Sequence, residues 1–109
     1  MCSMNLTELL LTCPNSQEAQ KIAHVLLEQK LIACAKYIPV DCSYWWQGKI
    51  VDDQEILLVM ESIEGNFDQI EVEVGKLHSY DTFVLQAVPI TYVSKEAGQW
   101  LTDTLSDKV

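Results

Sequence analysis

Residues 43–55 read SYWWQGKIVDDQE, and this stretch decides how the rest of the chain is interpreted. Three large aromatic residues, Tyr44, Trp45 and Trp46, lead into a turn that contains Gly48. Glycine supplies the positive φ that a tight hairpin turn needs, so we predict an antiparallel hairpin here. Aromatic side chains are normally buried whereas turns lie at the surface. The sequence therefore raises the question of what covers these rings.

Hydrophobic periodicity predicts helices and further strands around this hairpin. Apolar residues recur at helical spacing in three segments, and strand-forming residues fill the segments between them. Asn15, followed three residues later by Glu18, resembles a capping box that opens the first helix. The predicted elements, in order, are a strand at Leu6–Cys13, a helix at Ser16–Lys30, the hairpin strands at Leu31–Trp46 and Lys49–Glu61, a helix at Asn66–His78, a strand at Thr82–Ile90 and a short helix from Ser94 to Leu105.

This order of elements predicts the fold class. Strand, helix, strand, strand, helix, strand is the order of an α+β ferredoxin-like (split βαβ) sandwich, here with a long hairpin between the second and third strands and an extra C-terminal helix. A chain of 109 residues fits one domain, residues 1–109. We expect about residues 6–105 to be structured and the two ends to be flexible.

Composition and charge exclude several classes of function. The chain carries 16 acidic residues against seven lysines and no arginine, which gives a net charge of -9. Such a chain is repelled by nucleic acid and lacks the guanidinium group that grips phosphate in two places, so no nucleic-acid partner is expected. Its apolar segments are shorter than the roughly 20 residues of a membrane span, and no signal-peptide pattern opens the chain. We therefore expect a cytoplasmic protein without a membrane partner.

The four cysteines, Cys2, Cys13, Cys34 and Cys42, show no CxxC spacing. Without a secretory signal, neither a disulfide framework nor a structural zinc site is the favoured interpretation. We predict free thiols. Cys13 and Cys34 lie in apolar strands, where cysteine behaves as a small hydrophobic residue.

The length of the hairpin predicts self-association. The stretch Lys49–Met60 spans about 40 Å if straight, whereas a compact chain of this size is about 34 Å across. Residues 56–60 place apolar side chains on both faces of their strand, and the two helices of the split βαβ unit cover one face only. We therefore expect another copy of the chain to cover the second face and the aromatic tip. In the alternative interpretation, the hairpin folds back and the rings cap their own core.

Three segments of the chain together resemble one protein family. They are LLTCPNSQEAQKIAHVLLEQKL, KLIACAKYIPVDCSYWWQGKIVDDQEILLVMES and HSYDTFVLQAVPI. The alanine-cysteine pair, the aromatic W-x-G-K turn and the acidic strand after it are similar to the CutA family of divalent-cation tolerance proteins, and HSYD is similar to the family's His-Pro-Tyr-Glu segment. The resemblance covers about Leu9 to Leu105.

The resemblance implies a ferredoxin-like protomer in a homotrimer whose hairpins are exchanged between neighbouring sheets. It implies a role in tolerance and homeostasis of copper and other divalent metal ions, with binding of Cu²⁺ or another divalent cation, no required cofactor and no catalysis. Some members bind copper through a first-strand cysteine, a histidine beside the His-Pro-Tyr segment and a later glutamate. Leu11 and Val84 stand at the cysteine and glutamate positions here, and Leu77 at the histidine position of some members. That particular copper site is therefore not expected to persist.

The candidate metal ligands of this chain are His78, Cys13 and Asp81. A carboxylate beside an imidazole can fix the tautomer that binds a metal, and a thiolate suits copper(I). The alternative for His78 is a helix-terminal histidine that local hydrogen bonds satisfy. Asp52, Asp53 and Glu55 could offer oxygen ligands, although a solvated acidic strand edge is the simpler interpretation. The candidates for ligand binding or for the subunit interface are Tyr44, Trp45, Trp46, Lys49 and Tyr80.

Two further classes of function compete with a metal-tolerance trimer. A small-ligand-sensing regulatory trimer would bind effectors in clefts between subunits. An enzyme would pair Cys34 or Cys13 with His78, but the sequence contains no nucleophile motif, and no catalytic residue is assigned.

Overall fold

The computed structural model describes residues 5–106, so the expectations for the two chain ends and for Cys2 lie outside the described residues. The elements are the strand β1 (Leu6–Cys13), the helix α1 (Ser16–Glu28), the strands β2 (Cys34–Trp46) and β3 (Lys49–Ile63), a 3-10 turn (Glu64–Asn66), the helix α2 (Phe67–Leu77), the strand β4 (Leu85–Pro89) and the helix α3 (Lys95–Ser106). Their order is the predicted one.

Two local signals in the sequence act as predicted. The side chain of Asn15 accepts a hydrogen bond of 2.9 Å from the backbone N–H of Glu18, which caps α1. Gln47 and Gly48 both have positive φ, 51° and 80°, as a two-residue hairpin turn requires. The turn then sets the register of the hairpin, because Trp46 pairs with Lys49 directly across it.

The four strands form one antiparallel sheet in the order β2-β3-β1-β4. The two central strands are β3 and β1, while β2 and β4 form the edges. With α1 and α2 packed together against one face of this sheet, the fold is ferredoxin-like with a long hairpin and an extra C-terminal helix, and the predicted fold class is confirmed.

The hydrophobic core lies between α1, α2 and one face of the sheet. Leu9, Leu11 and Cys13 alternate along β1, and their partners across the ladder share that face. The fully buried core side chains include Leu9, Leu11, Cys13, Ile22, Leu26, Leu31, Ile32, Leu58, Met60, Ile70 and Val74. This core fixes the end of β1, where the candidate site begins.

The opposite face of the sheet differs from the expectation. From the sequence, a single chain was expected to have no layer to place there, but α3 contacts the central strand β3. Val59 points away from the main core and is nevertheless buried, as are Leu101 and Leu105 on α3. We conclude that α3 covers part of the second face, and that the assumption was wrong for this part.

The boundaries of β2 and β4 also differ from the prediction. β2 begins at Cys34 and not at Leu31, because Leu31 and Ile32 are buried in the core from the loop after α1. Lys30 lies two residues after Glu28, the last residue of α1, and its positive φ of 58° turns the chain out of the helix. β4 is shorter than the predicted Thr82–Ile90, since only five of its residues pair with β1.

The hairpin extends beyond the packed part of the chain, as its length predicted. The described chain measures 50 × 27 × 20 Å, so its long axis exceeds the diameter of about 34 Å expected for a compact chain of this size. Trp45 is 72% exposed and Trp46 is 50% exposed, so the fold-back alternative is wrong for these two rings. Within residues 5–106, no helix is long and apolar enough to cross a membrane.

Candidate functional site at the base of the hairpin

His78 follows the last residue of α2 and is held from both sides of its ring. Its side chain is fully buried, and Nε2 lies 2.9 Å from the carbonyl oxygen of Thr12 on β1, to which its N–H donates. Nδ1 accepts a hydrogen bond of 3.1 Å from the backbone N–H of Tyr80. Phe83 stacks on the ring with 5.4 Å between centroids. Both nitrogens of the imidazole ring therefore have hydrogen-bond partners within the chain.

Glu18 joins this arrangement from α1. Its Oε2 lies 3.3 Å from Nδ1 of His78 and also accepts hydrogen bonds from the backbone N–H and the hydroxyl of Ser79, at 2.9 and 3.1 Å. Nδ1 cannot accept from Tyr80 and donate to Glu18 at the same time, so the neutral ring bonds Tyr80 and only a protonated ring would bond Glu18. Ser79 replaces the usual proline of the CutA pattern, and its N–H supplies a contact that proline lacks.

Cys13 lies beneath this end of the sheet, in the core. Burial raises the pKa of its thiol to about 12, and the nearby negative charges of Glu18 and Glu55 add to the rise. The thiol is therefore protonated at neutral pH, whereas a metal ligand or a nucleophile must be a thiolate.

These side chains do not form a ready metal site. His78 would have to give up a hydrogen bond, Cys13 would have to lose a proton in the core, and Asp81 is exposed on the loop. Among residues 5–106, no group of three or more histidine, cysteine, aspartate and glutamate side chains is placed to hold a metal ion. Binding at His78, Cys13 and Asp81 stays a prediction.

Glu55 differs from its predicted place at a solvated strand edge. It is only 7% exposed and not part of a solvated strand edge. Its Oε2 accepts a hydrogen bond of 2.7 Å from the Tyr80 hydroxyl, and its Oε1 accepts one of 3.4 Å from the Cys42 thiol. Burial, and then the hydrogen bond to Glu55, raise the pKa values of Tyr80 and Cys42. We call Glu55, Tyr80 and Cys42 the base cluster.

A second phenol and carboxylate pair lies next to the base cluster, towards the tip. The Tyr44 hydroxyl donates to Oδ2 of Asp53 at 2.6 Å. This hydrogen bond and the negative charge of Asp53 raise the pKa of Tyr44 to about 12. Tyr44 and Tyr80, both predicted as interface or ligand residues, thus hold neighbouring carboxylates on one strand, and both stay protonated at neutral pH.

The remaining predicted residues lie at the tip of the hairpin. Trp45, Trp46 and Lys49 surround the turn and are exposed. They lie far along the strands from Tyr80, so the structure divides the predicted interface set between the base and the tip.

An open groove of about 420 Å³ lies between the β1–α1 turn and the base of the hairpin. It is lined on one side by the start of α1 and on the other by Pro39, Asp41, Gln54 and Glu55, together with neighbouring residues. Its wall is mixed, since charged and amide side chains alternate with apolar ones such as Pro14, Val40 and Ile56.

The sequence signal for the base cluster was weak. Tyr80 and Glu55 come together only because β1 ends at Cys13, which leaves the space beside Glu55 to the loop after α2. An acidic residue directly before the apolar run 56–60 was the one available hint of burial.

Together, the fold and this cluster define a class of protein: a ferredoxin-like unit with an overhanging aromatic hairpin and a buried carboxylate at its base. The family model described as "CutA1 divalent ion tolerance protein" matches residues 8–104. The chain belongs to this family, as its sequence resemblance predicted.

Relatives and solved structures agree with this assignment. The divalent-cation tolerance protein CutA of Archaeoglobus fulgidus is 36% identical over 95 residues, covering 87% of this chain and 93% of the relative. The protein of the same name from Thermus thermophilus is 35% identical, covering 86% of this chain and 92% of the relative. The solved A. fulgidus structure superimposes with a TM-score of 0.89 at 34% identity, covering 92% of this chain and 98% of that one. The structure of CutA1 from Oryza sativa also gives a TM-score of 0.89, at 28% identity and 94% coverage of both chains.

The names of these relatives differ in cellular compartment. The A. fulgidus structure is described as a periplasmic protein, whereas the CutA relatives from O. sativa and Arabidopsis thaliana are described as chloroplastic. Family membership therefore does not assign a compartment to this chain, and the cytoplasmic expectation needs an argument of its own.

Proposed function

We propose that this chain acts as a non-enzymatic homotrimer in tolerance and homeostasis of divalent metal ions, copper among them. The observation that carries the proposal is the exposed hairpin tip. A single chain leaves two tryptophans and Ile50 in water at the end of a 50 Å molecule, and apolar patches of this kind mark association sites. Another copy that buries this surface makes the overhang stable, and the family's name supplies the metal-tolerance role.

The proposal of a trimer is tested by light scattering with size-exclusion chromatography on the purified chain. We expect a mass near three times 12.4 kDa. A Trp45→Ser, Trp46→Ser variant is expected to shift the mass towards that of the single chain, while its circular dichroism spectrum stays that of a folded α+β protein. A wild-type chain that remains monomeric at micromolar concentration would contradict the proposal.

Absence of catalysis is part of the proposal and is supported by the states of the thiols. Burial raises the pKa of Cys13, and it also raises the pKa of Cys42, where the hydrogen bond to Glu55 adds to the effect, so neither thiol is an activated nucleophile. The Nε2–H of His78 donates to a backbone carbonyl and does not accept a proton from a thiol. A cytoplasmic location is supported by the free thiols of Cys13, Cys34 and Cys42, which suit a reducing compartment.

Binding of Cu²⁺ or another divalent cation is the part of the proposal with the least structural support. We propose weak binding at His78, Cys13 and Asp81 that requires opening of the His78 hydrogen bonds. A calorimetric titration with Cu²⁺ tests it, with His78→Ala and Cys13→Ser as variants and His24→Ala as the matched control, because His24 is exposed on α1. Both site variants should weaken binding and the control should not. Equal binding by all four proteins would rule out these ligands.

A small-ligand-sensing trimer is the second candidate function, and the groove beside Glu55 favours it. A cavity of about 420 Å³ is within the size range of small-molecule sites. A thermal-shift screen of small polar effectors tests this function, because a ligand that prefers the native state raises the melting temperature. No stabilisation by any compound would count against it.

A further inference from the structure

One face of the hairpin carries a cation at its tip and carboxylates at its base. Side chains alternate along a strand, so Lys49, Asp53 and Glu55 share a face of β3. Trp46, which pairs with Lys49, and Cys42, which pairs with Asp53, belong to the same face on β2. Charge is therefore separated along this surface.

Glu55 is a buried carboxylate with neutral partners. Its two hydrogen bonds come from the Tyr80 hydroxyl and the Cys42 thiol. The ion pairs of Lys36 with Glu61 and of Lys76 with Glu73 do not include Glu55, and the contact of His78 with a carboxylate is to Glu18. Buried charges in proteins are normally paired, so this carboxylate lacks the partner that its burial favours.

Lys49 is a cation without a carboxylate partner among residues 5–106. It is exposed beside the turn, and no hydrogen bond or ion pair joins it to a described residue. About 20 Å of strand separates it from Glu55 of its own chain, which is several times the length of a lysine side chain. Lys49 therefore cannot neutralise the Glu55 of its own hairpin.

We propose that the Lys49 ammonium of one copy of the chain pairs with the Glu55 and Asp53 carboxylates of another copy, so that each hairpin tip lies on the base cluster of its neighbour. The inference rests on the proposed self-association and adds the register and the residues of the contact. The exposed Trp46 accompanies Lys49 to the same surface.

The partner at this surface is a second copy of the chain, because the two ends of the hairpin complement each other in charge. Each chain has a net charge of -9, so a cation that meets the acids of the neighbour lowers the electrostatic repulsion between two copies. The tip offers a lysine and apolar rings, while Glu55 of the base cluster and the neighbouring Asp53 offer two carboxylates on the same face. Placing tip on base satisfies both ends in one contact, and it repeats around a closed ring.

The test measures how fast subunits leave the assembly. Two differently labelled populations of the full chain are mixed, and the exchange rate is followed by energy transfer. Lys49→Met should speed exchange about tenfold or more, because it leaves a buried carboxylate unpaired, whereas Lys49→Arg should retain the slow rate. Lys21→Met is the matched control, since Lys21 is an exposed lysine of α1 without a described partner.

A double-mutant cycle identifies the partner. Glu55→Gln keeps the shape of the side chain, and Asp53→Asn, at an exposed position, serves in addition should Glu55→Gln fold poorly. If the pairs exist, either carboxylate change adds little to the exchange rate once Lys49→Met is present.

The outcomes separate this inference from the proposed assembly. The contact would be overturned, and the assembly would stand, if the effects of Lys49→Met and a carboxylate substitution on the exchange rate multiply in the double variant. Equal exchange rates for Lys49→Met and Lys21→Met in a stable assembly would also overturn the contact. A wild-type chain that never associates would overturn both. Fast exchange in Lys49→Met that is insensitive to further carboxylate changes supports the contact.

Discussion

The two ends of the β2–β3 hairpin differ in how far a single chain satisfies their side chains. At the base, Tyr80 and Cys42 bond the Glu55 carboxylate, and the side-chain polar atoms buried in the described part of the chain all have hydrogen-bond partners. At the tip, Trp45 and Trp46 stay largely in water. Within one chain, the buried polar atoms of the base have hydrogen-bond partners, whereas the rings of the tip are shielded from water only when another molecule covers them.

This difference teaches where the fold ends and the assembly begins. Residues of β3 near Met60 belong to a core that one chain builds, and residues near Ile50 belong to a surface that one chain cannot bury. Substitutions at the two ends should therefore differ in how their effects depend on protein concentration, and this is the most direct way to challenge the comparison.

The largest expected effect is at the core end of β3. Met60 is 0% exposed, and Met60→Ala should lower the free energy of unfolding by about 2–5 kcal/mol through lost burial and a cavity. Ile50 is 62% exposed on the same face of the strand. Ile50→Ala should change the unfolding of dilute chains by less than about 0.5 kcal/mol. Urea unfolding at two protein concentrations measures both.

Concentration dependence is the sharper part of this comparison. If Ile50 is buried between copies, the Ile50→Ala effect grows at the higher concentration, where the wild type is assembled. An Ile50→Ala loss as large as that of Met60→Ala at every concentration would mean that the tip is part of the single-chain core.

A middle-sized effect is expected from the two phenol and carboxylate pairs. Tyr80→Phe removes the hydroxyl that bonds the buried Glu55, and it should cost about 1–3 kcal/mol of unfolding free energy because Cys42 remains as the one described donor to that carboxylate. Tyr44→Phe is the matched change at the neighbouring pair, where Asp53 is exposed to water. It should cost less unfolding free energy than Tyr80→Phe, because water can replace the lost hydrogen bond to Asp53. Chemical denaturation of both variants checks the order.

The reverse order would be informative. A larger loss for Tyr44→Phe than for Tyr80→Phe would show that Asp53 is the more deeply buried carboxylate in the assembled protein, and the distinction between base and outer pair would be wrong.

Much of the fold was predictable because local signals and the global pattern agree. The Asn15 cap, the Gly48 turn and the bounds of β1 follow from short-range rules. The predicted start of β2 was wrong because Leu31 and Ile32 are buried in the core from a loop and are not part of a strand. A hydrophobic pattern alone does not distinguish these two reasons for burial.

The candidate site was less predictable. His78 and Tyr80 contact each other, but their partners Thr12, Glu18 and Glu55 come from distant parts of the chain. Their placement depends on strand register and on where β1 stops, neither of which residue types reveal. Partial cover of the second sheet face by α3 was missed for the same reason.

The smallest expected effect concerns the thiol beneath the base. Burial raises the pKa of Cys13 from its ordinary value of 9.0 to about 12, so the folded state holds this proton more tightly than the unfolded state does. Its contribution to stability is complete below pH 9 and is lost as the pH rises towards 12. Between pH 8 and pH 10, wild type should lose about 1 kcal/mol more unfolding free energy than Cys13→Ser, whose hydroxyl does not ionise. Cys34→Ser, which removes a partly exposed thiol, should follow the wild type. Urea unfolding at both pH values tests this prediction. Identical pH profiles for wild type and Cys13→Ser would mean that the fold does not hold the thiol protonated. The base would then be more open to water than its hydrogen bonds indicate.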